Sequence, residues 1–293
     1  MRIVVTGGRG MLGRTLQREL SAHEIVVADL PEWDITDAAD FDARLAASRA
    51  DAVVHCAAMT AVDRCETEKE LAYKLNAFGT ANVAAACHRN GARLIAISTD
   101  YVFAGDSDRP YNEFDVPNGG NTVYGQSKFA GEEAVRRHCP DHVICRISWL
   151  YGKGGPSFVH TMLKLADGTR PELKVVDDQR GNPTSTKVVA DEIRFLLDHP
   201  SIEGVVHGTC EGVCSWYGLT VELFRLLGLK RGVVPCTTAE FPRPAPRPAY
   251  SALANTVLAL NGYHAPDWKS ALADFVREEF GAASAQGVVR ATE

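Results

Sequence analysis

Tyr124 and Lys128 stand one helical turn apart in Asn121-Thr-Val-Tyr124-Gly-Gln-Ser-Lys128-Phe-Ala-Gly-Glu132. Asn121 or Thr122 can cap a helix there, and Ala130, Glu132, Glu133 and Ala134 continue it. On that helix the phenol and the ammonium share one face. A tyrosine holds its proton to pH ~10. A fixed ammonium nearby favours the phenolate, so the pair can pass a proton near neutral pH. The spacing alone is a weak signal, because a surface helix with Lys128 paired to Glu132 would show the same pattern. What lies upstream strengthens it.

A second candidate is Thr6-Gly7-Gly8-Arg9-Gly10-Met11-Leu12-Gly13, which follows the apolar run Ile3-Val-Val5 and precedes helical spacing from Arg14 to Leu20. Gly7, Gly10 and Gly13 thus fall between a strand and a helix. Glycines there let the backbone turn sharply and let a pyrophosphate approach the helix N-terminus, where unpaired N–H groups favour anions. A second strand, Ile25-Val-Val-Ala28, ends at Asp29, which can hydrogen-bond the ribose hydroxyls of a dinucleotide and repel the extra phosphate of NADP. Arg9 is a counter-signal, since a guanidinium can accept that phosphate. The choice between NADH and NADPH stays open. A third candidate is Ser98-Thr99-Asp100-Tyr101, at the end of the strand Arg93-Leu-Ile-Ala-Ile97. A hydroxyl and a carboxylate delivered to the carboxyl edge of a parallel sheet are substrate contacts in waiting, although Asp100 capping a turn would read the same.

These groups need a frame. The strand Ala52-Val-Val-His-Cys56 opens into Ala57-Ala58-Met59-Thr60, and a helical stretch runs from about Thr67 to Asn90. After the Tyr124 helix, Val143-Ile-Cys-Arg-Ile147 is a further strand, leading to Ser148-Trp149-Leu-Tyr151. Regular strand–helix alternation to about residue 150 predicts an α/β fold, a Rossmann-type doubly wound parallel sheet. The looser pattern over 151–293 predicts a smaller mixed α/β substrate region. The boundary is approximate, and the chain is free to cross back over it. That region holds a helix near Phe158 to Ala166, a strand Leu173-Lys-Val-Val176 and a run, Phe241-Pro-Arg-Pro-Ala-Pro-Arg-Pro-Ala-Tyr250, that must be a fixed loop.

In 293 residues, 45% apolar and 23% charged, there is ample core for a globular protein. A net charge of -6 without a basic cluster argues against nucleic-acid binding. No apolar run reaches the ~18 residues of a membrane span, and without a basic stretch and an apolar stretch ahead of the glycine loop no signal peptide is expected. Of eight cysteines only Cys210 and Cys214 are close, with no second pair for zinc. Cytoplasmic, reduced core thiols are expected.

With these residues assembled, the chain resembles the extended short-chain dehydrogenase/reductase superfamily and, within it, the dTDP-4-dehydrorhamnose reductase family. The resemblance covers nearly the whole chain. It rests on the glycine loop, Ala57-Ala-Met-Thr-Ala-Val-Asp63, Ser98-Thr-Asp-Tyr-Val-Phe103 and Tyr124-Gly-Gln-Ser-Lys128, and further on Arg146-Ile-Ser-Trp149-Leu-Tyr151, Asp178-Gln-Arg-Gly-Asn-Pro-Thr184, Cys214-Ser-Trp-Tyr217 and Arg247-Pro-Ala-Tyr-Ser251. The glycine loop and the Tyr/Lys pair specify only the superfamily; Ser-Thr-Asp-Tyr-Val-Phe, Arg-x-Ser-Trp and Arg-Pro-x-x-Ser together are narrower. The resemblance implies Gly10, Met11 and Leu12 on the pyrophosphate, Asp29, Asp34 and Ile35 around the adenosine, and Ala58, Met59 and Thr60 along the cofactor. It implies Lys128 on the nicotinamide ribose, Thr99 and Asp100 on the sugar, and Trp149 packed on the substrate. Arg247 is set beside these as a substrate contact. Two positions depart from the family pattern: His55-Cys56 stands where Asn-Ala is usual, and Ala254 follows Leu253 where Asp is common.

The activity so implied is reduction of the C4 ketone of a nucleotide-linked 6-deoxyhexose by NADPH or NADH. Tyr124 would be the acid, Lys128 together with the positive nicotinamide of the oxidised cofactor would lower its pKa, and Thr99 would bond the developing alkoxide. A 4,6-dehydratase would need Asp-Glu beside the threonine, whereas Tyr101 follows Thr99-Asp100. An epimerase, or a reductase of another nucleotide sugar, is excluded less firmly. A non-catalytic NADP-binding subunit would show a damaged Tyr/Lys pair, and here both residues stand. Members of the family occur as homodimers or monomers, and no ligand cluster for Mg2+ is visible in the sequence.

Overall fold

Strand β1 (Arg2–Thr6) is buried on both faces, which is why its central residues Ile3, Val4 and Val5 are apolar without alternation. It pairs in parallel with β2 (Glu24–Ala28) and with β3 (Ala52–His55). The sheet continues, again in parallel, through β4 (Arg93–Thr99) and β5 (His142–Ile147). The computed structural model describes residues 1–166 and 172–281.

Beyond β5 come the short strands β6 (Leu150–Tyr151), β7 (Leu173–Val176), β8 (Arg180–Gly181) and β9 (Thr184–Ser185), and then β10 (Gly204–His207). β10 pairs in parallel with β5 and completes a six-stranded sheet in the order β10-β5-β4-β3-β1-β2. The chain therefore returns to the first sheet after residue 200. The order reverses at β1, and the crevice between the carboxyl ends of β1 and β3 is where open sheets of this kind take ligands.

Helices cover both faces. On one, α1 (Met11–Glu19) lies beside α8 (Thr186–Asp198), joined by a Thr15–Thr186 hydroxyl bond of 2.9 Å, over Ile3, Val5 and Val54, with Leu258 of α10 (Thr256–Leu260) in the same core. On the other, α2 (Ala38–Ser48), α5 (Thr80–Asn90) and α6 (Val123–His138) pack on Val4, Val53, Leu94 and Ile144. Adjacent β1 residues thus feed opposite cores, as strand geometry demands. A separate core gathers Val159 and Leu163 of α7 (Phe158–Leu165), Leu219 and Leu223 of α9 (Trp216–Leu226) and Leu272 and Phe275 of α11 (Trp268–Phe280).

The stretch expected as one helix from Thr67 to Asn90 is broken. It comprises α4 (Lys69–Tyr73), a π-helical turn over Lys74–Gly79 and α5, with α3 (Val62–Thr67) preceding. The wide turn carries Asn76 inward, where it is buried. The proline run is a fixed loop: Arg180 N donates to Ala249 O, Tyr250 N to Gly105 O and Ser251 N to Arg180 O. All eight cysteines are free thiols. Among the described residues no helix is long and apolar enough to cross a membrane.

Candidate active site

A groove of about 840 Å³ runs along the carboxyl edge of the sheet, from the glycine loop to α6 and on to α7 and α9. At one end Gly7, Gly10, Met11, Leu12 and Gly13 line it. Gly7 has φ +63°, and a Cβ there would come within 2.8 Å of Ala57 N, on the neighbouring strand end. A Cβ at Gly13 would meet Gly7 O at 2.5 Å. The loop is thus folded on itself beneath the start of α1, whose N-cap Gly10 offers no side-chain acceptor. Such an end is open to an anion.

Asp29, Asp34 and Ile35 line the groove beside this loop. Asp29 Oδ2 accepts Arg9 N at 2.8 Å and Oδ1 accepts Leu30 N at 2.9 Å, so its carboxylate is fixed at the end of β2. The Arg9 guanidinium turns to Leu30 O and to Glu32, 3.0 Å away. Ala58 and Thr60 also face the groove. Met59 does not. Asn76 Oδ1 accepts Met59 N at 2.8 Å and Asn76 Nδ2 donates to Met59 O at 3.1 Å, and the Met59 side chain packs with Cys65, Ala72 and Val123. His55, unusual at its position, is buried between Thr6 Oγ1 at 2.7 Å and Thr80 Oγ1 at 3.0 Å; burial and the Lys128 charge push it down to about 3, so it is a neutral brace.

In the centre, Thr99, Asp100, Tyr124 and Lys128 come together. Thr122 caps α6, accepting Gly125 N at 2.9 Å, and so sets the rotation of the helix. The Thr99 hydroxyl donates to Asp100 Oδ1 at 2.9 Å and lies against the Tyr124 hydroxyl. Ser148 Oγ donates to Asp100 Oδ2 at 3.1 Å. Burial raises Asp100 to about 6, against the hydroxyls of Ser251, Thr99 and Ser148. Lys128 Nζ donates to Ile97 O at 2.7 Å, and burial pushes it down to about 8. Burial raises the Tyr124 pKa, with Asp100 adding to it and only Thr99 opposing, so the phenol holds its proton at neutral pH.

At the far end, Trp149 lines the groove from a left-handed backbone conformation (φ 48°), with Phe158 and Trp216 beside it. Arg247 is not in the groove. It pairs with Asp63 at 2.8 Å and lines a neighbouring cavity of about 200 Å³, sharing Tyr101 as a common wall. Loop 241–250 holds it there, because Ala245 N also donates to Asp63, at 3.2 Å.

The model of the RmlD substrate binding domain family matches residues 1–280. The chain belongs to this family. Its fold follows a dTDP-4-dehydrorhamnose reductase of Clostridium acetobutylicum with a TM-score of 0.92 and 44% identity, over 95% of this chain and 99% of that one. A dTDP-4-dehydrorhamnose reductase of Bacillus anthracis, solved in complex with NADP, gives 0.91 and 40% over 94% and 99%. A Streptomyces antibioticus relative, named a probable dTDP-4,6-dihydroxy-2-methyloxan-3-one 4-ketoreductase, is 44% identical over 93% of each chain.

Some groove residues of this family member carry no local sequence signal. Trp33, Leu75 and Phe158 reach the groove only through packing. Asn76 braces it from behind, donating to Ser127 Oγ at 3.0 Å, between Tyr124 and Lys128 on α6. A polar residue inside an apolar helical stretch was the one available hint. Among the described residues no group of three or more His, Cys, Asp or Glu could hold a metal ion.

Proposed function

We propose that the protein reduces the C4 ketone of dTDP-4-dehydro-L-rhamnose to dTDP-L-rhamnose, the last step in making that sugar nucleotide. The observation that carries this reading is the meeting of Tyr124, Lys128 and Thr99 in one groove with the helix-capped glycine loop. In this account residues 1–150, with β10, hold the cofactor, and most of the remainder holds the sugar nucleotide.

The residues fit a dinucleotide. At Gly7 and Gly13 a Cβ would strike neighbouring backbone, so the loop is as tight as only glycine allows, and the uncapped start of α1 beside the groove suits a pyrophosphate. Gly10, Met11 and Leu12 would hold that pyrophosphate, Asp29, Asp34 and Ile35 the adenosine, Ala58 and Thr60 the middle, and Lys128 the nicotinamide ribose. NADPH or NADH, when bound, supplies the hydride. Tyr124, protonated at neutral pH, delivers its proton to the ketone oxygen as that oxygen gains charge, and the product is an alcohol. Thr99 turns its hydroxyl proton from Asp100 to the same oxygen, a small oxyanion-type stabilisation. Asp100 orients the sugar hydroxyls, and Trp149, braced by Trp216, packs on the ring. Arg247 acts indirectly, holding loop 241–250 against α3 through Asp63.

Loss of NADPH or NADH absorbance with dTDP-4-dehydro-L-rhamnose, with the product identified, tests the reading. No oxidation by protein that binds the cofactor would reject it. The second reading, reduction of a different dTDP-linked keto-deoxysugar, is favoured by the likeness to the S. antibioticus relative. Turnover of that class of sugar in place of dehydrorhamnose would establish it.

A further inference from the structure

Glu132 lies one turn beyond Lys128 on α6 and is buried, although it is a carboxylate. Four donors meet it. Its Oε1 accepts Ser98 Oγ at 2.6 Å and Arg146 Nε at 2.9 Å; its Oε2 accepts Arg146 Nη2 at 2.7 Å and Arg136 Nη2 at 3.0 Å. Arg146 is itself buried on β5, its guanidinium 5.1 Å from the centre of the Phe103 ring and 3.5 Å from His207 Nε2. Ser98 is the residue before Thr99 on β4. The bonds therefore run from the helix carrying Tyr124 and Lys128 to both strands beneath it. Lys128, by contrast, donates to a neutral group, the Ile97 carbonyl. Lys128 and Glu132 line one small cavity of about 10 Å³, the size of a single water.

We propose that Glu132 is a positioning residue: its buried bridge to Arg146 sets the register of α6 on β4 and β5, and its charge keeps Lys128 an ammonium. The inference rests on the roles given above to Tyr124 and Lys128. A buried ammonium bonded only to a carbonyl loses its proton readily, and a fixed carboxylate one turn away opposes that loss. The other groups facing Lys128 carry little of this burden. Tyr124, also on α6, is protonated; His55 and Cys56, at the end of β3, are neutral, pushed to about 3 and about 12. Asp100, in the turn after β4, shares the groove but is held by Thr99 and Ser148. Around Glu132, burial raises its pKa, and the bonds and charge of Arg146, with help from Ser98 and Arg136, outweigh this and keep it ionised. His207, on β10, is neutral.

The test is the titration of Lys128 in cofactor-free protein labelled with 13C at lysine Cε. Its signal is assigned by its loss in Lys128→Met, and the pH profile of kcat is measured in parallel. Glu132→Gln should lower the Lys128 midpoint by about one pH unit, roughly tenfold in proton affinity, and draw the alkaline limb of kcat down with it. A purely structural role would lower kcat equally at every pH. Should Glu132→Gln leave Arg146 so exposed to its own charge that the chain does not fold, Glu132→Gln with Arg146→Met removes both charges, and the midpoint should still fall. An unchanged Lys128 midpoint in a folded variant overturns the proposal. Absence of turnover in the unaltered protein would instead strike the proposed function and leave the titration readable.

Discussion

Trp149 and Trp216 stack face to face, their ring centres 3.4 Å apart and their planes within 5° of parallel. One follows β5 and the other opens α9, so the stack joins the cofactor half of the groove to the C-terminal core. Gln179 Oε1 accepts Trp216 Nε1 at 3.0 Å, and Gln179 Nε2 donates to Thr238 Oγ1 at 3.0 Å, which fixes the outer ring. Trp216→Leu should free Trp149, raising KM for the sugar nucleotide about tenfold, the cost of one lost aromatic contact. KM for the cofactor should not move. Steady-state kinetics with each substrate varied in turn would separate the two, and a matching rise in cofactor KM would refute the assignment of this end to the sugar.

Tyr124→Phe removes one hydroxyl from a site that keeps its shape. Cofactor affinity, measured by titration, should stay within a factor of about two, and kcat should fall on the order of 10²–10⁴-fold. Unchanged turnover would mean that the proton comes from elsewhere.

Asp100 predicts a pH effect on stability. Its folded pKa is raised to about 6 by burial, above the ~3.9 of an unfolded chain. The folded form therefore binds this proton more tightly, and stability is lost as pH rises through that window and levels off above it. Asp100→Asn cannot lose a proton. Relative to that variant, the unaltered protein should lose up to about 3 kcal/mol between pH 4 and pH 7. Urea denaturation of both at the two pH values measures this, and a constant difference would contradict it.

Asp29 bears on cofactor preference. Fixed by two backbone N–H groups, it can still accept from ribose hydroxyls. Asp29→Ala should raise KM for NADH about tenfold and KM for NADPH less, since a carboxylate beside a 2′-phosphate is a cost as well as a support. Equal rises would show that Asp29 does not discriminate.

Much of the fold was legible because its signals are local. Strand, glycine loop and helix fall within the first twenty residues, and the apolar runs at Ile3, Val53 and Ile95 announce a sheet buried on both faces. The gathering of Thr99, Tyr124 and Lys128 was legible for the same reason, since each sits at the end of a recognisable strand or start of a helix. Trp216 was not, because its place beside Trp149 follows from how α9 packs. Met59 was misassigned, since nothing local shows that Asn76 turns it away. Arg247 was drawn into the groove by its charge, where the structure pairs it with Asp63. The burial of Tyr124, which raises its pKa in the protein alone, was not legible either: proximity to Lys128 can be read from spacing, whereas burial is a property of the whole fold.

The central claim is hydride delivery to C4 of the sugar with a proton added at its oxygen. Reduction of dTDP-4-dehydro-L-rhamnose with cofactor deuterated at the transferring position of the nicotinamide, followed by NMR of the product, tests it most directly. The account predicts one deuterium, at C4 of a rhamnosyl product. Deuterium at another carbon, or a product free of it, would contradict the account.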